Sequence, residues 1–128
     1  MSHISSVQVT VTDKEALLKA LKRLGLVAEV HETAVPVLYR GHARGGVRAH
    51  IVVRQPFGYH ADLGFELRAD KTIATYTDTY YQAGKDLVNK FTQAYGVEKA
   101  KLEARKKGFL ASEKQLEDGT VRLTLRRF

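Results

Sequence analysis

The sequence predicts an α+β domain: one mainly antiparallel sheet, helices packed on one of its faces, and a β-hairpin at the C-terminal end. Three observations predict it. Apolar and polar residues alternate with period two near the start, through the middle and at the end of the chain, as half-buried antiparallel strands require. Apolar residues fall at helical spacing in two other stretches, one running to Leu24 and one over about 82–107. In residues 109–128, FLASEKQLEDGTVRLTLRRF, Asp118 and Gly119 stand between two alternating runs, and these residue types tolerate the positive φ of a tight hairpin.

Element by element, residues 4–11, ISSVQVTV, set Val7, Val9 and Val11 on one side of a strand and Ser6, Gln8 and Thr10 on the other. Thr12 with Glu15 three residues on reads as a capping box, opening a helix that aligns Leu17, Leu21 and Leu24 and stops at Gly25. Residues 26–40 supply two short apolar pieces, LVAEV and VPVLY. Pro36 puts the second at a sheet edge or strand start, because proline cannot donate to a ladder. Val47, Ala49, Ile51 and Val53 then share one side of a strand, opposite Arg48, His50, Val52 and Arg54. After PFGY come ADLGFEL and TIATYT, completing an antiparallel meander. Leu87, Val88, Phe91, Ala94 and Tyr95 mark the second helical stretch, which Gly96 either kinks or divides.

A chain of 128 residues is of ordinary single-domain size, and one α+β domain over residues 1–128 is expected. No apolar run reaches the roughly 18 residues of a membrane span, and MSHISSVQVTVTD lacks the basic and apolar regions of a secretory signal. The expected location is the cytoplasm or its organellar equivalent, a stroma. Absence of cysteine excludes disulfides, thiolate zinc sites, iron–sulfur ligation and thiol nucleophiles. The formal charge of +7 favours nucleic acid, an acidic protein or an anionic surface as partner. Residues 1–78 hold ten basic and eight acidic side chains and residues 79–128 eleven and six, so the excess is mostly C-terminal.

The stretch GHARGGVRAHIVVRQ, residues 41–55, raises the question of a phosphate cradle. A nucleotide-hydrolase loop needs lysine and a hydroxyl residue after its last glycine, but Val47 and Arg48 stand there. A dinucleotide fingerprint must open a helix, but a strand follows. A hairpin or loop whose glycines relieve backbone strain is therefore expected.

Several segments together resemble a known family. MSHIS at the start, AHIVVRQ and GYHADLGFE in the middle, and EARKKGFLASEKQLEDGTVRLTLRRF at the end are similar to small uncharacterised proteins first listed as a hypothetical chloroplast reading frame, with plastid, cyanobacterial and other bacterial members. That family carries tryptophans around the position of TYTDTYYQAG and often at the last residue. This chain has Tyr76, Tyr80, Tyr81 and Phe128 there instead. The resemblance implies a single intracellular domain from Met1 to Phe128 and a role outside secretion, and it transfers no catalytic residue.

The residues themselves point to binding. Arg44, Arg48 and Arg54 around the glycine stretch, and Arg122 and Arg126 on the outward side of the last strand, are expected to form a basic surface. Phe57, Tyr59, Tyr80 and Tyr81 are candidates for stacking on bases. Histidines 3, 31, 42, 50 and 60 include no close helical pair, so neither a metal nor another cofactor is expected. Asp62 and Glu66, four apart on one strand, are weak acid–base candidates. The expected function is a non-catalytic accessory or adaptor protein that binds an acidic protein partner through its basic surface. Sequence-tolerant binding of RNA or single-stranded DNA is the alternative, and a small-molecule or metal-dependent enzyme stands third.

Overall fold

A computed structural model describes residues 4–127, without the side chains of Ser5, Gln8 and Arg44; Phe128 and His3 lie outside the described residues. The elements run β1 (Ser5–Val11), α1 (Lys14–Arg23), β2 (Glu29–Tyr39), β3 (His42–Val53), β4 (Leu63–Leu67), β5 (Ile73–Thr77), α2 (Gln82–Lys106), β6 (Phe109–Gln115) and β7 (Val121–Arg127). Strands β1 to β5 form one antiparallel sheet in the order β1-β5-β4-β3-β2, and β6 with β7 form a separate two-stranded ribbon. The α+β class, the meander β3-β4-β5 and the terminal hairpin agree with the sequence patterning.

Alternation decides what each sheet face meets. Leu63 and Phe65 of β4, Ile51 and Val53 of β3, and Ile73 of β5 face both helices, packing against Leu17 and Leu21 of α1 and Phe91 and Tyr95 of α2. The Phe65 and Phe91 rings meet at 5.0 Å between centroids. Gly64 points to the opposite face, where a Cβ would stand 2.6 Å from Val37 Cγ2 and 3.0 Å from the Ala49 Cβ. Glycine here lets the β2–β3 hairpin lie close over the back of the sheet, burying Val37, Tyr39, Ala49, Val52 and Ala61 as a second core.

That curl comes from two compensating register shifts. On β3, residues 44–47 stand opposite Val37 alone, and on β2, residues 31–34 stand opposite His50 alone. Gly45 and Gly46, at φ +69° and +68°, occupy the first of these bulges. The glycine stretch is therefore hairpin backbone, as its strand context predicts, with the turn itself at Arg40 and Gly41. Curling carries the hairpin's far end to residues 60–62: Arg40 N donates to His60 O and Asp62 N donates to Leu38 O, both at 2.9 Å.

Three local expectations need correction. The α1 N-cap is Asp13, not Thr12: its carboxylate accepts from Ala16 N at 3.1 Å, while the backbone N–H groups of Thr12 and Asp13 both donate to the Tyr95 hydroxyl of α2. Residues 29–39 form one 11-residue edge strand rather than part of two short pieces, because bulging absorbs the break in alternation; Pro36 sits in that edge strand, as its missing N–H demands. Gly96 does not divide α2, which continues for 25 residues, since packing on the core outweighs one unfavourable propensity of about 1 kcal/mol.

The Asp13 cap has a pH signature. The bond from Ala16 N–H, helped by Lys99 at 3.4 Å and opposed by burial, holds the Asp13 carboxyl below its ordinary value of 3.8. A carboxylate depressed on folding stabilises the native state fully above its unfolded pKa and loses that contribution as pH falls through the folded one. Asp13→Ala is accordingly expected to cost about 1 kcal/mol at pH 7, with the gap from wild type closing below the depressed value. Urea midpoints of both proteins, measured from pH 7 down to acid, check this; a gap independent of pH would refute it.

Candidate binding surface

The structure distributes the predicted cations over both sheets. Arg48 on β3 donates from Nε and Nη2 to Ala34 O at 3.2 and 3.0 Å, clamping the bulged part of β2. Arg54 is more committed: Nη1 reaches Asp62 Oδ2 at 2.7 Å and Pro36 O at 3.1 Å, and Nε reaches Glu29 Oε2 at 3.3 Å. Arg44 lies in the glycine bulge, its side chain outside the described residues. Arg122 and Arg126 project from the ribbon.

Ribbon geometry follows from its turn. Gly119 N donates to Leu116 O at 3.0 Å and Leu116 N to Thr120 O at 2.8 Å, closing a three-residue connection with Gly119 at φ +88°. Asp118 Oδ1 accepts from both the N–H and the hydroxyl of Thr120. Beyond the turn the register pairs Lys114 with Arg122, Ser112 with Thr124 and Leu110 with Arg126, so these six side chains share one face. Among the described residues Lys114, Arg122 and Arg126 have no ion-pair partner.

The other ribbon face is tied to the helices. Glu113 meets Arg23 of α1 at 2.7 Å and Lys101 of α2 at 3.3 Å, and Glu98 meets the same two cations at 3.4 and 3.3 Å. Burial pushes the Glu113 carboxyl up, but bonds from Arg23 and Lys101 outweigh it and hold the group below its ordinary value. This four-residue network fixes the ribbon's orientation on the domain. Several cavities border the ribbon, and two of them meet. One of about 260 Å³ lies between ribbon and helices, with Lys19, Lys101, Arg105, Leu102 and Phe109 in its lining. One of about 410 Å³ involves Ser112, Thr124 and Arg126 on the free face, and Leu110 and Ala111 line both.

The predicted stacking residues gather only in part. Phe57 stacks on His60 at 5.5 Å, His60 meets Tyr81 at 4.8 Å, and Tyr80 meets Tyr81 edge-on at 5.1 Å. Phe57 and Tyr81 thus each direct a ring at His60, whereas Tyr59 and Tyr80 are well exposed. Asp78 escaped the sequence reading, and His60 entered it only as one of five scattered histidines. His60 Nδ1 and Asp78 Oδ2 are buried without a hydrogen-bond partner, although both residues occupy loops where no periodicity flags burial.

The acid–base candidates serve as acceptors. Asp62 takes bonds from Arg54 and from the N–H groups of Leu38 and Gln55, and Glu66 takes bonds from Tyr76 and Arg68. His50 Nδ1 accepts from Leu67 N–H, and His31 meets Glu29. Among the described residues no group of three or more His, Cys, Asp or Glu is placed to hold a metal ion, and no helix is long and apolar enough to cross a membrane.

Comparison with known proteins finds one family: a profile described as "Protein of unknown function (DUF1257)" matches residues 20–124, from within α1 to Thr124 of the ribbon. No curated protein and no solved structure matches the chain.

Proposed function

We propose a function for a chain that belongs to the DUF1257 family, whose description assigns no activity: it is a non-catalytic accessory or adaptor protein that docks an acidic protein partner on its C-terminal ribbon. One observation carries this reading. Lys114, Arg122 and Arg126 share a face with the exposed Leu110, and none has an ion-pair partner among the described residues. Some cations elsewhere are neutralised locally, as in Lys99–Glu103 at 3.2 Å and Arg54–Asp62 at 2.7 Å. Others, such as Lys22, Lys85 and Arg105, also lack an ion pair among the described residues; the ribbon differs in setting three such cations on one face with an exposed leucine. Uncompensated cations around an apolar patch steer and orient an acidic partner, while the apolar contact supplies area. The proposed setting is the cytoplasm or an organellar stroma, and the proposed kinship includes the plastid and cyanobacterial proteins named above.

The test compares wild type with the Lys114→Glu, Arg122→Glu, Arg126→Glu triple variant. Each is immobilised in nuclease-treated extract of the host, and any captured protein is purified and titrated at two salt concentrations. One acidic protein at near-stoichiometric yield, bound at least about tenfold more weakly by the variant, supports the proposal. Equal capture by both baits defeats it.

Sequence-tolerant binding of RNA or single-stranded DNA draws support from Tyr59 and Tyr80, 63% and 59% exposed. On that reading a labelled single strand binds with an affinity that falls steeply with salt, and Tyr59→Ala with Tyr80→Ala weakens it by about 1–3 kcal/mol per lost stack. No binding near 50 mM salt, an order-of-magnitude condition, removes it.

A further inference from the structure

We infer that an acidic, extended segment of the partner adds as a third strand along the free edge of β6, sending alternate side chains into the two cavities that meet at Leu110 and Ala111. This rests on the acidic-partner reading and specifies its mode.

The edge is located by hydrogen-bond alternation. Because Leu116 N–H bonds Thr120 O at 2.8 Å and opposed pairs in an antiparallel ladder alternate, Lys114–Arg122, Ser112–Thr124 and Leu110–Arg126 exchange bonds across the ribbon. The N–H and C=O groups of Phe109, Ala111 and Glu113 then point away from β7. Among the described residues no other strand pairs with that side of β6. Natural edges are blunted by charge or proline, yet residues 109–112, FLAS, contain neither.

The cavities supply side-chain specificity. Successive residues of a strand project to opposite faces, and here one cavity lies on each face of the ribbon at the same two residues. A strand bonded to Ala111 puts one side chain toward Leu102 and Phe109 and its neighbours toward Leu110 and Thr124. On the rims Lys19 pairs with Glu15 and Lys101 with Glu98 and Glu113, whereas Arg105 and Arg126 have no ion-pair partner among the described residues. These two cations select an acidic strand. A second copy pairing β6 to β6 would set these cations against their own kind, which argues against self-association. Strand addition takes affinity from the backbone and specificity from such alternate pockets.

The probe is a capped ten-residue peptide alternating glutamate and valine, with a lysine–valine peptide as control, titrated into the isotope-labelled full-length chain. The expected result is saturable binding of the acidic peptide alone, with amide exchange of Ala111 and Glu113 slowed at least about tenfold. Ala111→Pro removes the outward N–H and should abolish that protection. Because proline can disturb the ribbon, Arg105→Glu with Arg126→Glu is the second variant; it leaves the backbone intact and should weaken binding at least about tenfold. Both variants are checked for native circular dichroism.

If Ala111→Pro folds and binds the acidic peptide as wild type does, strand addition is wrong while the adaptor reading survives on the ribbon face. Equal protection by the lysine peptide, by an oligouridine, or by a second copy in a sedimenting dimer also overturns the inference. Retention of the natural partner by the triple variant of the preceding section defeats the adaptor reading itself.

Discussion

Replacing Asp62 by alanine is expected to lower the free energy of unfolding by about 3–5 kcal/mol, the loss typical when one member of a buried ion pair is removed. Asp62 is 1% exposed, and its carboxylate accepts three bonds: Leu38 N–H at 2.9 Å, Gln55 N–H at 3.0 Å and Arg54 Nη1 at 2.7 Å. These donors belong to two segments, β2 and the loop directly after β3, so the one carboxylate fastens the curled hairpin to the start of β4. Alanine leaves two backbone N–H groups and a guanidinium without their acceptor, and each unmet buried donor costs about 1–3 kcal/mol. For a domain of this size the melting temperature should fall by at least about 10 °C. Asp62→Asn is the sharper control, because all three partners are donors and an amide offers an acceptor on one side only. It should recover little of the loss. Arg54→Ala should cost less than either, since the Arg54 side chain is 34% exposed and water can reach part of what it leaves. Near-equal melting temperatures for Asp62→Ala and wild type would show that the hairpin is held by its packing instead.

Arg54 also marks where sequence patterning stops. Alternation predicts the strands of β1, β3, β4 and β5, because parity is local. On β3, however, the expected common side fails: Val47 and Ala49 join Val52 in the second core while Ile51 and Val53 lie in the first, with the register shift at His50 between them. Alternation assigns Arg54 to the polar side of β3, but a side is not a partner. Asp62 is reached only because the loop 54–61 doubles back, and no period records that return. The pairing of β1 with β5 is hidden for the same reason: 61 residues lie between Val11 and its partner Ile73, and an adjacent edge is a property of the assembled sheet. The β2 strand reads as two pieces because its bulge inserts residues that break alternation. Arg122 and Arg126 are the opposite case. A hairpin is the most local of sheet structures, so their shared face was readable from spacing around Asp118 and Gly119. What spacing does not reveal is that Arg23, Glu98, Lys101 and Glu113 orient the ribbon so that one face stays free. The burial of His60 Nδ1 and Asp78 Oδ2 left no trace, since a buried polar group in a loop has the same sequence appearance as an exposed one.

The same substitution at two glycines of α2 should change stability in opposite directions. Gly96 is exposed, and a Cβ added there meets nothing within 4 Å. Gly96→Ala therefore gains helix propensity without a contact penalty, and about 0.5–1 kcal/mol of added stability is expected. Gly84 lies in the first turn and is buried. A Cβ there would stand 2.1 Å from the backbone oxygen of Asp78 and 3.4 Å from Phe57 Cζ. The obstructing atom is main chain, so no rotamer change relieves it, and either the 78–81 segment or the helix start must shift. Overpacking in a fixed environment costs typically 1–3 kcal/mol, and a main-chain obstacle places Gly84→Ala at the upper end, beyond the propensity gain of at most about 1 kcal/mol. The expected outcome is a net loss of about 2 kcal/mol. Because Phe57, His60 and Tyr81 pack together beside this helix start, the loss should come with altered tyrosine near-ultraviolet dichroism, whereas Gly96→Ala leaves that signal unchanged. Denaturant midpoints of the two variants decide the matter: a rise for both would mean that the loop before α2 yields freely, and that the close approach of Gly84 to Asp78 constrains nothing.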